Sequence, residues 1–324
     1  MERDLKKILE PLNGHLALVD EEIRKKLATG IPIIDQSAMH LFSSGGKRIR
    51  AALVILTSGL HNRIPDGIIE LAAATEIVHA ASLIHDDIID QSMFRRGNIT
   101  VPQKWGNKIS VLVGDYMYAV ALGAAIRDGN PAIFPLMVAG TKDMVMGELY
   151  QMQYSEIDTV RREHYLAIVE LKTARFMGSC AKLGGTKSNM NADECEELFK
   201  FGQNLGFAFQ IIDDTLDIMQ NSSDIGKDVG SDFKDGKITL PFLYLIEQGE
   251  NDDLNRLRRY SSNPNTADWE KIKKRLADSG AISYAIDFAG DYIDTARSIM
   301  KKFPESQFRN ILLELSDFLL SRTY

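Results

Sequence analysis

Ala80-Ala81-Ser82-Leu83-Ile84-His85-Asp86-Asp87-Ile88-Ile89-Asp90 closes a largely apolar stretch that begins at Ile68. Asp213-Asp214-Thr215-Leu216-Asp217 closes a second, Phe207 to Ile212. In both places three aspartates end a segment whose composition drives it into a core. In a helix, residues i and i+4 share a face and i+1 lies about 100° round, so each cluster presents its first and last Asp with the second beside them. Like charges at that spacing repel by about 0.2–0.5 kcal/mol per pair, and more where water is excluded. One costly pattern repeated in two matching settings implies cations at both. Clusters of three carboxylates without His or Cys suit Mg²⁺, a hard ion that prefers oxygen, and argue against zinc.

Outward from these clusters the pattern is helical. Leu5, Ile8, Leu9, Leu12, Leu16, Val19, Ile23 and Leu27 recur at three- and four-residue steps and predict a helix over 4–27. The same periodicity predicts helices over 34–42, 68–90, 111–126, 133–153 and 162–183. Asn191 and Glu194 have capping-box spacing for a helix that runs to the second cluster, with an irregularity expected near Gly202 or Gly206. Further helices are expected over 241–247, 269–279, 282–303 and 308–320. No segment alternates with period two. The expected fold is therefore all-α, one domain over 1–324, a bundle of about ten or more helices around a central cavity.

Of the 324 residues 44% are hydrophobic, enough for a sizeable core, and the net charge is −7. That balance excludes a general nucleic-acid footprint, so an anionic ligand needs a local basic cluster or metal ions. Cys180 and Cys195 are too few for a disulfide framework and read as reduced thiols. The N-terminus has no signal-peptide core and no uninterrupted run of 18 apolar residues occurs. The expected location is the cytoplasm, with membrane contact only for product release.

Local basic clusters do occur. Ser43-Ser44-Gly45-Gly46-Lys47-Arg48-Ile49-Arg50 precedes the apolar run Ala51 to Leu56, and places glycines and three cations at a helix start, a phosphate site in outline. Arg95-Arg96-Gly97 follows the first acidic cluster in a loop. Glu170 to Arg175 interrupts an apolar helical face with polar residues. Residues 221–237 carry Lys227, Lys234 and Lys237 without apolar periodicity and are expected to form a lid. Two acidic clusters and separate basic loops describe a cavity for a polyanion between metal ions, a diphosphate. Apolar walls around it add a hydrocarbon tail, and the combination is an isoprenyl diphosphate.

These same residues carry a family resemblance. The sequence resembles the trans-isoprenyl diphosphate synthases, or polyprenyl synthetases, from about Gly45 to Pro241. The basic loop, His79, the first Asp motif with Arg95-Arg96-Gly97, Lys172-Thr173, Phe209-Gln210, the second Asp motif, Lys227 and Lys237 stand in the family's order. The resemblance implies an isoprenoid synthase-like fold. It implies that Lys47, Arg50, His79 and Arg96 bind isopentenyl diphosphate without metal, and that Arg95, Lys172 and Lys227 hold the allylic diphosphate with Lys237 nearby. Asp86, Asp90 and Asp213 are then the main Mg²⁺ ligands, with Asp87, Asp214 and Asp217 acting directly or through water, on two or three ions. Ala51 departs from the family, which has proline there, and its presence is expected to loosen the helix start slightly.

The reaction the resemblance implies is head-to-tail condensation. The allylic C–O bond breaks, cations and metal stabilise the leaving diphosphate, and the carbonyl and hydroxyl of Lys172-Thr173 and the Phe209 ring stabilise the carbocation, with Gln210, Asp86 and Asp213 completing the catalytic set. One helical turn, about 5.4 Å, approximates one isoprene unit. Small Ala81 and Ser82, then Ile77 and Val78, leave the channel along the first Asp helix open, so the expected product is long, about C30 to C50, with Met117 or Tyr118 as other candidates for a floor. The sequence is most similar to the bacterial hepta- and octaprenyl-type members that make quinone side chains. Expected partners are farnesyl or geranylgeranyl diphosphate as primer and a second copy of the chain, or a small accessory subunit as in two-component synthases. Terpene cyclases and squalene- or phytoene-type synthases share the Asp-rich all-α pattern but lack the metal-free diphosphate site.

Overall fold

The computed structural model describes every residue except 1, 44, 96, 220–232, 234–235, 249–250, 263–265 and 322–324. In chain order the helices are α1 (Glu2–Ile8), α2 (Asn13–Leu27), α3 (Pro32–Ser43), α4 (Ile49–Ser58), α5 (Ile68–Ile89), α6 (Val101–Trp105), α7 (Asn107–Arg127) and α8 (Ile133–Gln153). They continue with α9 (Arg162–Val169), α10 (Arg175–Lys187), α11 (Ala192–Met219), α12 (Leu240–Gln248), α13 (Asn251–Ser262), α14 (Thr266–Asp278), α15 (Ala281–Met300) and α16 (Gln307–Ser321). The all-α expectation holds. Strand structure among the described residues is one two-residue antiparallel pair, Phe94–Arg95 with Asn98–Ile99, beyond the reach of period-two analysis.

Two antiparallel helix pairs form the centre: α5 packs on α7, and α10 on α11, with α4 touching both α5 and α10. Alanines at 72, 73, 74, 80 and 81 favour helix and let neighbours approach α5 from several sides, and all five are buried. Gly202 and Gly206 do not disturb α11, which runs unbroken. They instead set its distance from α10: a Cβ on Gly206 would lie 2.6 Å from the Ala174 Cα, and one on Gly202 2.4 Å from the Met177 carbonyl oxygen. The predicted cap is present, since Glu194 N–H donates to Asn191 Oδ1 at 2.9 Å and Asn191 N–H to Glu194 Oε2 at 3.1 Å.

The helical irregularity lies at Glu170–Ala174, a π turn between α9 and α10 in which Arg175 N–H donates to the Glu170 carbonyl five residues back. A second break divides the helix expected over 4–27 at Glu10–Leu12, a 3-10 turn containing Pro11. Core residues Leu9, Leu12, Val19, Ile23 and Leu27 stay buried across it. Buried apolar side chains from Leu5 to Leu319 form one contiguous cluster. By length and composition α5 and α7 could each span a membrane, but most of α5 is enclosed by other helices, whereas α7 exposes Val111, Leu112 and Ile126.

Candidate active site

The π turn brings the site together. An α-helix places successive side chains about 100° apart, and the extra residue of the π turn shifts that phase locally; adjacent Lys172 and Thr173 address two different helices. Lys172 pairs with Glu148 and donates to Gln151 Oε1 at 3.0 Å, both on α8. Its charge also acts on Asp86 of α5. Thr173 turns to α11, where its hydroxyl donates to Gln210 Oε1 at 2.9 Å. Gly147 permits the α8 contact, because a Cβ there would stand 2.7 Å from the Lys172 backbone nitrogen.

On α5, burial pushes the Asp86 carboxyl up to about 6; Lys172 and Arg95 oppose the rise, and Glu148 and Asp90 reinforce it. Asp87 is 1% exposed and its carboxyl is also raised, first by burial, while Arg95 pulls it back. Arg95 Nε donates to Asp87 Oδ1 at 2.7 Å, and Lys237 Nζ to Asp90 Oδ2 at 2.7 Å. The chain's own cations thus sit on the first cluster. Among the described residues no three carboxylate, His or Cys groups already converge at metal-ligand spacing.

Oxygen donors crowded at this cost still fit a divalent cation. Asp87 Oδ2 is buried with no hydrogen-bond partner among the described residues, and Asp86 is held beside two further carboxylates, Glu148 and Asp90. An all-carboxylate set of this kind matches Mg²⁺ chemistry.

The second cluster divides its labour. Asp214 is buried with both oxygens engaged: Tyr165 OH donates to Oδ2 at 2.7 Å and Gln210 Nε2 to Oδ1 at 2.8 Å. The resemblance names it among the metal ligands, directly or through water; both its oxygens also lie in the protein's own hydrogen-bond network. Asp213 faces the basic loop, where Arg50 is enclosed; burial lowers the guanidinium pKa, and Glu76, Cys180 and Asp213 raise it. Asp217 and Phe209 are half-buried on the same helix.

Within the basic loop the three cations separate. Lys47 is exposed, Arg50 turns inward, and Arg48, at φ 48°, donates from Nε to Asp20 Oδ1 of α2 at 2.7 Å. Ala51 is the third residue of α4, and its N–H donates to Glu76 Oε1 at 3.0 Å. The N–H that proline lacks ties α4 to α5, which opposes the expected loosening. His79 is half-buried on α5. Arg96 and Lys227 lie outside the described residues, as does most of the expected lid.

Three of the four residues expected to set product length, Ile77, Val78 and Ala81, are fully buried, and so is Met117. Ser82 and Tyr118 are the half-buried candidates. Tyr118 of α7 has its ring 5.7 Å from that of His85, and burial followed by the charge of Asp86 raises its phenol pKa. Sequence reasoning missed Glu76, Glu148, Gln151 and Tyr165. Glu76 and Glu148 had a legible signal, each being an isolated carboxylate in an apolar helical stretch; Tyr165 had none.

The chain belongs to the polyprenyl synthetase family, whose pattern it matches over residues 31–278. It is 29% identical over 320 residues to the octaprenyl diphosphate synthase of Escherichia coli, covering 98% of this chain and 99% of that one. It is 30% identical over 322 residues to a short chain isoprenyl diphosphate synthase of Methanothermobacter thermautotrophicus, covering 98% and 99%. The crystal structure of a polyprenyl synthase from Caulobacter crescentus, complexed with calcium and isoprenyl diphosphate, superposes with a TM-score of 0.93 at 31% identity, covering 99% of this chain and 98% of that one. The fold is the all-α isoprenoid synthase fold, and the chain is a prenyltransferase.

Proposed function

We propose that this chain condenses isopentenyl diphosphate head-to-tail onto an allylic primer, farnesyl or geranylgeranyl diphosphate, to give an all-trans product of about C30 to C50 that serves as a quinone side chain. The supporting observation is the placement of Lys172 and Thr173, neighbours in sequence, one beside Asp86 and the other hydrogen-bonded toward Asp214. The two acidic helices therefore border one space.

Asp86, Asp87, Asp90 and Asp213 are the residues that would hold Mg²⁺, which when bound neutralises the allylic diphosphate and favours C–O cleavage. Arg95 and Lys237, seated on Asp87 and Asp90, would be available to the diphosphate oxygens where those carboxylates hold the metal. Lys172 contributes a third cation there. Lys47 and Arg50, with His79, bind the diphosphate of isopentenyl diphosphate on the opposite side. The Thr173 oxygen and the Phe209 ring face the allylic cation, and the departing diphosphate takes the proton from the new chain, so no side-chain base is needed. The tail runs along α5 past Ser82 toward Tyr118.

The partner is a second copy of the chain. Neighbouring helices α7 and α8 expose Leu112 (68%), Leu149 (62%) and Met152 (57%), with Val111, Val145 and Met146 beside them. Exposed Asp115 and Lys142 on these helices disfavour a lipid partner and supply opposite charges for a self-complementary contact. The two buried, free thiols are consistent with a cytoplasmic location.

Incubation with Mg²⁺, labelled isopentenyl diphosphate and each allylic primer, followed by sizing of the products, tests the reaction. Incorporation into chains of six to ten isoprene units is expected from C30 to C50 products. No incorporation with any primer would overturn the stand-alone synthase, and recovery on adding a second protein would point to a two-component enzyme.

A further inference from the structure

Thr173, Gln210, Asp214 and Tyr165 form a chain of hydrogen bonds in which every direction is determined. An ionised carboxylate only accepts, and Asp214 sits at the end of the chain with Tyr165 on one oxygen and Gln210 on the other. Gln210 must therefore turn its NH₂ toward Asp214, since a flipped amide would set its carbonyl against a carboxylate oxygen. That orientation leaves Gln210 Oε1 facing Thr173, an acceptor for the one proton the hydroxyl has. With its proton committed, Thr173 keeps only lone pairs for any other neighbour.

We infer that Tyr165 and Asp214 are positioning residues that fix the polarity of Thr173, so that the hydroxyl oxygen, and never its hydrogen, faces positive charge developing on the allylic carbon. The inference rests on the condensation proposed above, in which such charge forms beside Thr173. Asp214 thereby differs from its neighbours in the second acidic cluster: its effect reaches the reaction through Gln210 rather than through metal. Tyr165, eight residues before Thr173 on α9, holds the far oxygen of Asp214 and keeps the carboxylate in register with Gln210. Tyr165 and Asp214 are both buried, so water does not readily replace either bond.

The test is a double-mutant cycle on the full chain with Mg²⁺, read as kcat, as KM for both diphosphates and as the Mg²⁺ concentration for half-maximal rate. Tyr165→Phe should lower kcat about tenfold while leaving both KM values and the Mg²⁺ requirement unchanged. Thr173→Val should lower kcat at least as far, and Tyr165→Phe added to it should change nothing more. Thr173→Ser, which keeps the donor, should recover most of the rate lost in Thr173→Val, and if the phenylalanine variant folds poorly Asp214→Asn decides the matter, with a lowered kcat at an unchanged Mg²⁺ requirement expected. Independent, multiplicative losses for Tyr165→Phe and Thr173→Val would overturn the relay, as would an unchanged kcat in Tyr165→Phe. A higher Mg²⁺ requirement in Asp214→Asn, with full rate recovered at saturating metal, would make Asp214 a metal ligand and overturn it also. Absence of incorporation by the wild-type chain would instead be a failure of the proposed reaction.

Discussion

Replacing Ala51 with the family's proline should destabilise this chain, although a substitution toward a family consensus ordinarily stabilises. Ala51 is completely buried at the third position of α4, and its N–H donates to Glu76 Oε1 at 3.0 Å. Proline removes the donor and places a ring carbon where the proton pointed. Loss of a hydrogen bond to a buried carboxylate costs about 1.5–3 kcal/mol. Restriction of the unfolded chain by proline returns about 0.4–1 kcal/mol. The net loss is about 0.5–2.5 kcal/mol. Unfolding entropy of about 2.1 cal/mol/K per residue converts the middle of that range to a fall of about 2 °C in the thermal midpoint. Arg50, the preceding residue and a neighbour of Glu76, should shift with the helix start and raise KM for isopentenyl diphosphate. Differential scanning calorimetry of Ala51→Pro alone and in a Glu76→Ala background supplies the check. Without its acceptor the N–H has nothing to lose, so proline should then be neutral or stabilising. A higher midpoint in Ala51→Pro, or the same fall in both backgrounds, would refute the reasoning.

Asp86 has a folded-state pKa above its unfolded value, so its stabilising contribution is complete below about pH 4 and disappears as pH rises through about 6. Thermal midpoints of the metal-free chain measured across pH 4–7 should carry this downward component, and Asp86→Asn should lose it; identical slopes for the two proteins would count against a buried, neutral Asp86 at low pH. Asp213→Ala should abolish turnover yet leave isopentenyl diphosphate binding at or above the wild-type level, because Arg50 loses a competing carboxylate; calorimetric titration without metal would expose the contrary result, a loss of binding. Tyr118→Ala should lengthen the product by one or more isoprene units and Ala81→Phe should shorten it, as read by reversed-phase chromatography; unchanged product lengths in both would remove α5 and α7 as the walls of the tail channel. Leu149→Glu should convert a dimer to a monomer in sedimentation analysis, and an unaltered mass would place the interface elsewhere.

The helices were legible wherever one face is apolar and the other wet, as in α2, α15 and α16, because burial writes a period into the sequence. The short elements were not. A five-residue α6 and two-residue strands hold too few positions to show a period, and α13 carries its period on three residues, Leu254, Leu257 and Tyr260, among many polar ones. At the site, the aspartates and the basic loop were readable because charge at the end of an apolar segment needs a reason. What they bind inside the protein was not readable, since the partners Glu76, Tyr165 and Glu148 stand 24 to 49 residues away from the groups they meet. Asp214 shows the limit most clearly: the spacing that places it beside Asp213 says nothing about which of the two turns inward.

The π turn at Glu170–Ala174 amounts to one residue more than an α-helix of the same length requires. Excising a single residue there would yield a continuous and locally more regular rod from α9 through α10. The same excision would remove the surplus position, so the residues left there could not keep both Lys172 on Glu148 and Thr173 on Gln210. Helical regularity and chemical competence are therefore opposed at this point of the chain. Any search for stabilised variants that rewards regular helix would converge on a deletion that leaves a sturdier and inert protein.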